Sequence, residues 1–227
     1  LLFYAFQANA ETKKVVLATG DWEPYVSEAH PGRGTFAEIV TAVFREMGFE
    51  AVYVFAPWKR VEAIVKSGEA YAGIPYAYTE ERHKTFDYSV PIMKASYEFF
   101  YNKKAYPNGI SYSKLEDLGR YRIGGVIGYW YEGLFKQAAL PIEYVTTDEQ
   151  NITKLYFRRV DLAACDTLAC WSLIKKLYPR EFSDFAVVEK PFAVQQLHLM
   201  VSRNYPNAKE ITQKFNATLK VMQEKKR

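Results

Sequence analysis

Apolar positions recur along this chain in two alternating rhythms. Short apolar runs predict strands at residues 15–19, 51–55, 71–75 and 96–102, and helical spacing fills the first two gaps between them. Phe36, Ile39, Val40, Val43, Phe44 and Met47 repeat at helical intervals, which predicts a helix over residues 35–47 with Gly48 as its stop. Thr35 and Glu38 have the spacing of a capping box at its start. Pro57 opens a second helix that places Trp58, Val61, Ile64 and Val65 on one face and ends at Ser67 and Gly68.

The rhythm then restarts. Ser113 and Glu116 suggest a second capping box. Strands are predicted at residues 123–127, 142–145 and 160–164, with helices at 132–139, 149–157 and 168–177. A strand at 185–188 precedes an extended run at 195–202, and a last helix carries Ile211, Phe215, Leu219 and Met222 on one side.

Strands alternating with helices imply an α/β fold whose parallel sheets are covered on both faces. Two such groups suggest two lobes of about 100 residues each. The last helix follows an extended run rather than a fresh strand–helix pair, as expected of a chain that returns to its first lobe. In open α/β sheets, ligands sit beyond the carboxyl ends of strands, so the residues after each strand are the ones to inspect.

Composition changes this picture little. Of 227 residues, 49% are hydrophobic and 25% charged, which is ordinary for a globular chain. The net charge of +4 is mild and its Lys and Arg are scattered, so nothing favours nucleic acid as a partner. The cluster Lys225-Lys226-Arg227 reads as a solvated tail. The apolar run at residues 1–6 and Ala8-Asn9-Ala10 fit a secretory signal remnant, residues 1–10, and hence an exported, periplasmic protein. No other stretch has the ~18 apolar residues of a membrane span. Cys165 and Cys170 straddle an expected strand-to-helix turn and are read as two buried thiols rather than a disulfide.

The 16% aromatic content, with 18 Tyr, is high, and much of it falls at strand ends. Trp22 and Tyr25 follow the first strand and Trp58 the second. Ala77 and Thr79 lead to Arg82, Tyr129 and Trp130 follow a strand of the second group, and Asp166 ends another. A guanidinium grips a carboxylate through two parallel hydrogen bonds, which suits Arg82. Asp166 complements an ammonium group, and flat rings stack on what lies between. Each has a plainer alternative. Arg82 can pair with Glu80, Glu81 or Asp87, Asp166 can cap the helix that follows it, and the tryptophans can be core rings.

These residues carry a resemblance. Trp22-Glu23-Pro24-Tyr25, Gly34-Thr35-Phe36-Ala37-Glu38 and Pro57-Trp58 match family 3 of the bacterial extracellular solute-binding proteins, the periplasmic receptors of polar amino-acid ABC transporters. So do Thr79-Glu80-Glu81-Arg82, Phe86-Asp87-Tyr88-Ser89-Val90-Pro91, Gly128 and the run from Arg159 to Asp166. The Thr-x-x-Arg followed by Phe-x-x-Ser-x-Pro is the most specific element.

The resemblance implies a type II periplasmic-binding fold of two α/β lobes joined by a two-segment hinge, near residues 102–105 and 194–198. Lobe 1 would comprise residues 11–102 and 198–227, and lobe 2 residues 103–197. It further implies that Arg82 holds a ligand carboxylate, Asp166 an ammonium group, and Trp22 and Trp58 the side chain. Tyr25, Ala77, Thr79, Tyr129 and Trp130 complete the expected site. Two departures stand out. Pro75-Tyr76-Ala77-Tyr78 occupies a place where the family has small hydroxyl or glycine residues, and Tyr129 and Trp130 stand where it has Thr or Ser. That bulk is expected to shrink or reshape the pocket, and points either to an aromatic or flat ligand or to a pocket that is partly filled.

The expected protein is a monomeric receptor that closes on a small carboxylate-bearing molecule and delivers it to a membrane permease. An enzyme of the cyclohexadienyl dehydratase kind, or a sensing module, is the alternative. No catalytic apparatus is visible, and His30, His83 and His198 are too dispersed for a metal site. No cofactor is implied. Gly32-Arg33-Gly34-Thr35-Phe36-Ala37 loosely matches a dinucleotide fingerprint but lacks the strand that must precede it.

Overall fold

A computed structural model describes residues 13–225. The expected signal remnant lies outside the described residues. The first half follows the predicted alternation: β1 (Lys13–Thr19), α1 (Thr35–Glu46), β2 (Phe49–Phe55), α2 (Trp58–Ser67) and β3 (Ala72–Ala77). Next come α3 (Glu80–His83), β4 (Phe86–Tyr88) and the long β5 (Met93–Asn102). The second half contains β6 (Ile123–Val126), α4 (Glu132–Gln137), β7 (Ile142–Val145) and α5 (Asp148–Tyr156). It continues with β8 (Leu162–Asp166), α6 (Thr167–Leu177), β9 (Phe185–Val187), the long β10 (Ala193–Ser202) and α7 (Ala208–Glu224).

The strands hydrogen-bond in the order β2-β1-β3-β10-β5-β8-β6-β7, with β4 on β10 and β9 on β5. Each half is a parallel trio: β1 lies between β2 and β3, and β6 between β7 and β8. Two antiparallel strands join the trios. β10 pairs with β5 from Ala193 to Leu197 and with β3 from Leu197 onward. β5 passes from β10 to β8 at Tyr97, upstream of the expected crossing at residues 102–105. The result is two α/β lobes connected by two crossing strands.

Each lobe has its own packing. In the first, α1 and α7 bring Phe44 and Phe215 together at 5.1 Å, with Tyr71 edge-on to Phe44 at 5.9 Å. In the second, Phe99, Phe135 and Phe192 meet on one face of the sheet, while Phe100, Ile152, Leu155, Ile174 and Phe185 pack on the other. Burying one such side chain contributes about 1.5–3 kcal/mol.

Three local expectations are corrected. Thr35 is not the cap of α1. Gly34 holds that position at φ +93°, and the Thr35 hydroxyl donates to Pro24 O at 3.2 Å. The turn at Leu115–Arg120 is 3-10 rather than α, and Asp117, not Glu116, accepts the backbone N–H groups of Ser113 and Lys114 at 3.0 and 3.1 Å. Cys165 and Cys170 form a disulfide: the turn between β8 and α6 brings their Cα atoms to 6.2 Å, within bridging range.

Candidate functional site

The carboxyl ends of β1, β2 and β3 face those of β6 and β8, and six of the nine expected site residues line the space between. Gly20, just beyond β1, is required there by close approach: a Cβ on it would lie 2.6 Å from Cε2 of Trp58. The Trp58 ring stands edge-on to Tyr76 at 5.5 Å. Trp22, only 8% exposed, packs on Tyr25 at 4.5 Å and is fixed by a backbone bridge to Val26.

Arg82 enters from α3, whose N-terminus is capped by the Thr79 hydroxyl accepting the Arg82 N–H at 3.2 Å. The guanidinium lies over the Tyr76 ring at 5.0 Å. Its Nε donates to Glu62 Oε1 at 2.9 Å, and its Nη2 donates across the cleft to Gly128 O at 3.0 Å. Nη1 has no hydrogen bond to the described residues. Arg82 therefore pairs with Glu62, not with the Glu80, Glu81 or Asp87 that the sequence offered.

Gly128 sits after β6 at φ +83°, and its N–H donates to Glu132 Oε1. Beside it Tyr129 donates its hydroxyl to Asp148 Oδ2 at 2.5 Å. Trp130 is edge-on to Tyr97 at 5.0 Å and stacks near Phe192 at 6.2 Å. The indole Nε1 atoms of Trp22 and Trp130 are buried without an acceptor.

Two compartments result. A small inner cavity of about 50 Å³ is lined by Trp22, Trp58, Pro75, Tyr76, Ala77, Arg82, Tyr97, Gly128, Tyr129, Trp130 and Leu197. It has room for a few waters or one small polar group. A wider cleft of about 680 Å³ shares Trp22, Trp58 and Tyr129 with it and adds Asp21, Glu23, Lys59, Asp148, Glu149 and Lys176 among others. The structure thus brings Arg82, Trp22, Trp58, Ala77, Tyr129 and Trp130 together.

Tyr25, Thr79 and Asp166 lie outside the lining of both compartments. Asp166 is 1% exposed and caps α6, its Oδ1 accepting the Ala169 N–H at 2.9 Å while its Oδ2 accepts the Tyr25 hydroxyl at 3.1 Å. Tyr97 is the aromatic wall residue that sequence reasoning missed, whereas Tyr76 belongs to the bulky stretch at residues 75–78 already expected to reshape the pocket. Tyr97 follows no motif and enters only through the register of β5.

Burial pushes the Asp166 carboxyl up to about 7, and Asp148 up to about 6. Both groups hold their protons more tightly in the folded chain than at their ordinary values near 4. The stability this confers is present at low pH and lost as pH rises through about 6 to 7. Buried His198, held below its ordinary value by desolvation, acts in the opposite sense below about 6.5. Asp148→Asn isolates one contribution, since its amide oxygen can still accept from Tyr129. The variant is expected to be more stable than the parent by roughly 1–2 kcal/mol at pH 8 and by little at pH 4, as read by urea unfolding. Equal differences at both pH values would contradict the buried-carboxylate account.

The sequence profile of the bacterial extracellular solute-binding proteins, family 3, matches residues 15–227, and the chain belongs to that family. No curated protein sequence matches it significantly. Among solved structures, a histidine kinase sensor domain similar to periplasmic binding proteins superposes with a TM-score of 0.80 at 16% identity, over 94% of this chain and 92% of that one. An ancestral arginine-binding protein bound to arginine gives 0.76 at 20% identity, over 93% and 92%. An amino acid ABC transporter substrate-binding protein, AbpA, from Streptococcus pneumoniae, bound to L-arginine, gives 0.76 at 22% identity, over 93% and 90%. These likenesses show the fold: a curled, mixed α/β sheet of the periplasmic-binding kind. Among the described residues, no helix is long and apolar enough to cross a membrane.

Proposed function

We propose that this family-3 chain is an exported receptor that closes around one small carboxylate-bearing molecule and presents it to an ABC-type permease. The observation that carries the reading is Arg82. Its guanidinium stands between the lobes, hydrogen-bonds to both, and lines a cavity walled by rings from each side. A charge-assisted contact made only when both lobes meet the ligand favours the closed arrangement, because a ligand shifts an equilibrium only by its differential affinity. The partner changes of β5 and β10 at Tyr97 and Leu197 are where the lobes would turn. The same reading takes the capture to occur in the periplasm.

A sensing role is the second reading, supported by the likeness to a kinase sensor domain. Neighbouring genes for permeases would favour transport, and neighbouring signalling genes would favour sensing. An enzyme on this fold has less support, since Asp166 lines neither compartment.

The reading is tested by native mass spectrometry of freshly purified protein, followed by thermal-shift screening of amino acids and other small carboxylates. A co-purified carboxylate, or a melting temperature raised by several degrees by one compound class, is expected. No adduct and no shift across the whole panel would remove the receptor reading.

A further inference from the structure

The proposed receptor reading leaves open which carboxylates are recognised, and the inference here rests on that reading. We infer that the site takes a flat, amine-free carboxylate in preference to an α-amino acid. In an α-amino acid the nitrogen lies about 2.5 Å from the carboxyl carbon, through two bonds of about 1.5 Å. A carboxylate held by Arg82 therefore carries its ammonium group into the inner cavity.

That cavity offers it no carboxylate, and its wall has only the hydroxyls of Tyr76, Tyr97 and Tyr129 as neutral side-chain acceptors. Arg82 is the one charged side chain in its lining among the described residues, and the rest is aromatic ring, proline, alanine, leucine and glycine. Gly128 O accepts from Arg82 Nη2, and the face of Tyr76 lies under the same guanidinium. An ammonium group there would stand beside a like charge with no acid in the lining to pair it, which is unfavourable.

Asp166, the acid that the sequence places nearest to such a role, is sealed away from it at 1% exposure. Asp166 has one oxygen on the Ala169 N–H and the other on the Tyr25 hydroxyl, and it lines neither compartment. Asp21, Glu23 and Asp148 line only the outer cleft.

The two volumes fix the shape of the guest. The inner cavity of about 50 Å³ admits a carboxylate group and little more. Trp22, Trp58 and Tyr129 wall both this cavity and the 680 Å³ cleft, so the body of the ligand passes between rings. A flat apolar body suits such a passage.

Calorimetric titration of the unmodified protein with matched pairs tests this directly. The pairs are 3-phenylpropionate with L-phenylalanine, and indole-3-propionate with L-tryptophan. Each amine-free member is expected to bind at least about tenfold more tightly than its amino acid. An amino acid binding as tightly as its partner, or more so, overturns this inference and leaves the receptor reading standing. If neither pair binds and the wider panel of carboxylates and amino acids is silent, both fall together. If the wider panel shows binding of α-amino acids alone, only this inference falls.

Discussion

Arg82→Ala is expected to weaken binding of every carboxylate ligand by at least about 100-fold, read by calorimetric titration. Hydrogen bonds to a charged group contribute about 1.5–3 kcal/mol each, and truncating one partner of a buried charge pair costs about 2–5 kcal/mol. The loss comes from two directions. The ligand loses its only cation in the inner cavity, and Gly128 O loses the donor that ties the second lobe to the first. Stability should change much less, because the Glu62 partner is partly exposed and such pairs contribute about 0–1 kcal/mol. Arg82→Lys should fall between: it keeps the charge but cannot hold Glu62 through Nε and Gly128 through Nη2 together. Unchanged affinity in Arg82→Ala would refute the assigned role.

Gly34→Ala is expected to lower stability by roughly 3 kcal/mol or more, and thereby the melting temperature by about 6–12 °C. Gly34 has φ +93° and ψ 164°, a region that residues with a Cβ rarely enter. A Cβ there would sit 2.6 Å from Tyr25 O and 2.8 Å from Pro24 O, both backbone atoms that cannot swing away. Those carbonyls accept the Phe36 and Thr35 N–H groups at 3.0 Å, which docks the Trp22–Tyr25 loop onto the start of α1. A shift in either would disturb the wall of the cavity as well as the helix. Gly119→Ala is the control, since a Cβ there meets nothing within 4 Å and its φ is not positive. Equal melting temperatures for the two variants would contradict this account of the loop.

Much of the fold was legible because long elements carry periodicity. The apolar faces of α1, α2 and α7 and the runs of β1, β3 and β8 appear where burial demands them. The four residues of α3 and the three of β4 were invisible, being shorter than any period they could express. The capping boxes failed for another reason. At α1 the incoming loop needs a backbone approach that only a glycine permits, so position 34 displaced the hydroxyl at 35. Spacing alone could not reveal the Cys165–Cys170 bridge, because the direction of two side chains across a turn depends on its backbone angles.

The site divides along the same line. Arg82, Trp22, Trp58, Tyr129 and Trp130 stand at strand ends, where topology alone directs attention. Tyr97 reaches the cavity only through the register of β5, and Glu62 meets Arg82 from a face of α2 that no motif marks. Asp166 was placed correctly at the end of its strand, yet its partners, Tyr25 and the α6 amide, are set by tertiary structure.

The most direct test of the account is a crystal structure of the protein with the tightest-binding carboxylate from the titration panel. The predicted result is a carboxylate oxygen about 3 Å from Arg82 Nη1, with the ligand body passing between the rings of Trp22, Trp58 and Tyr129. A ligand seated elsewhere, with the guanidinium turned out of the space between the lobes, would contradict it.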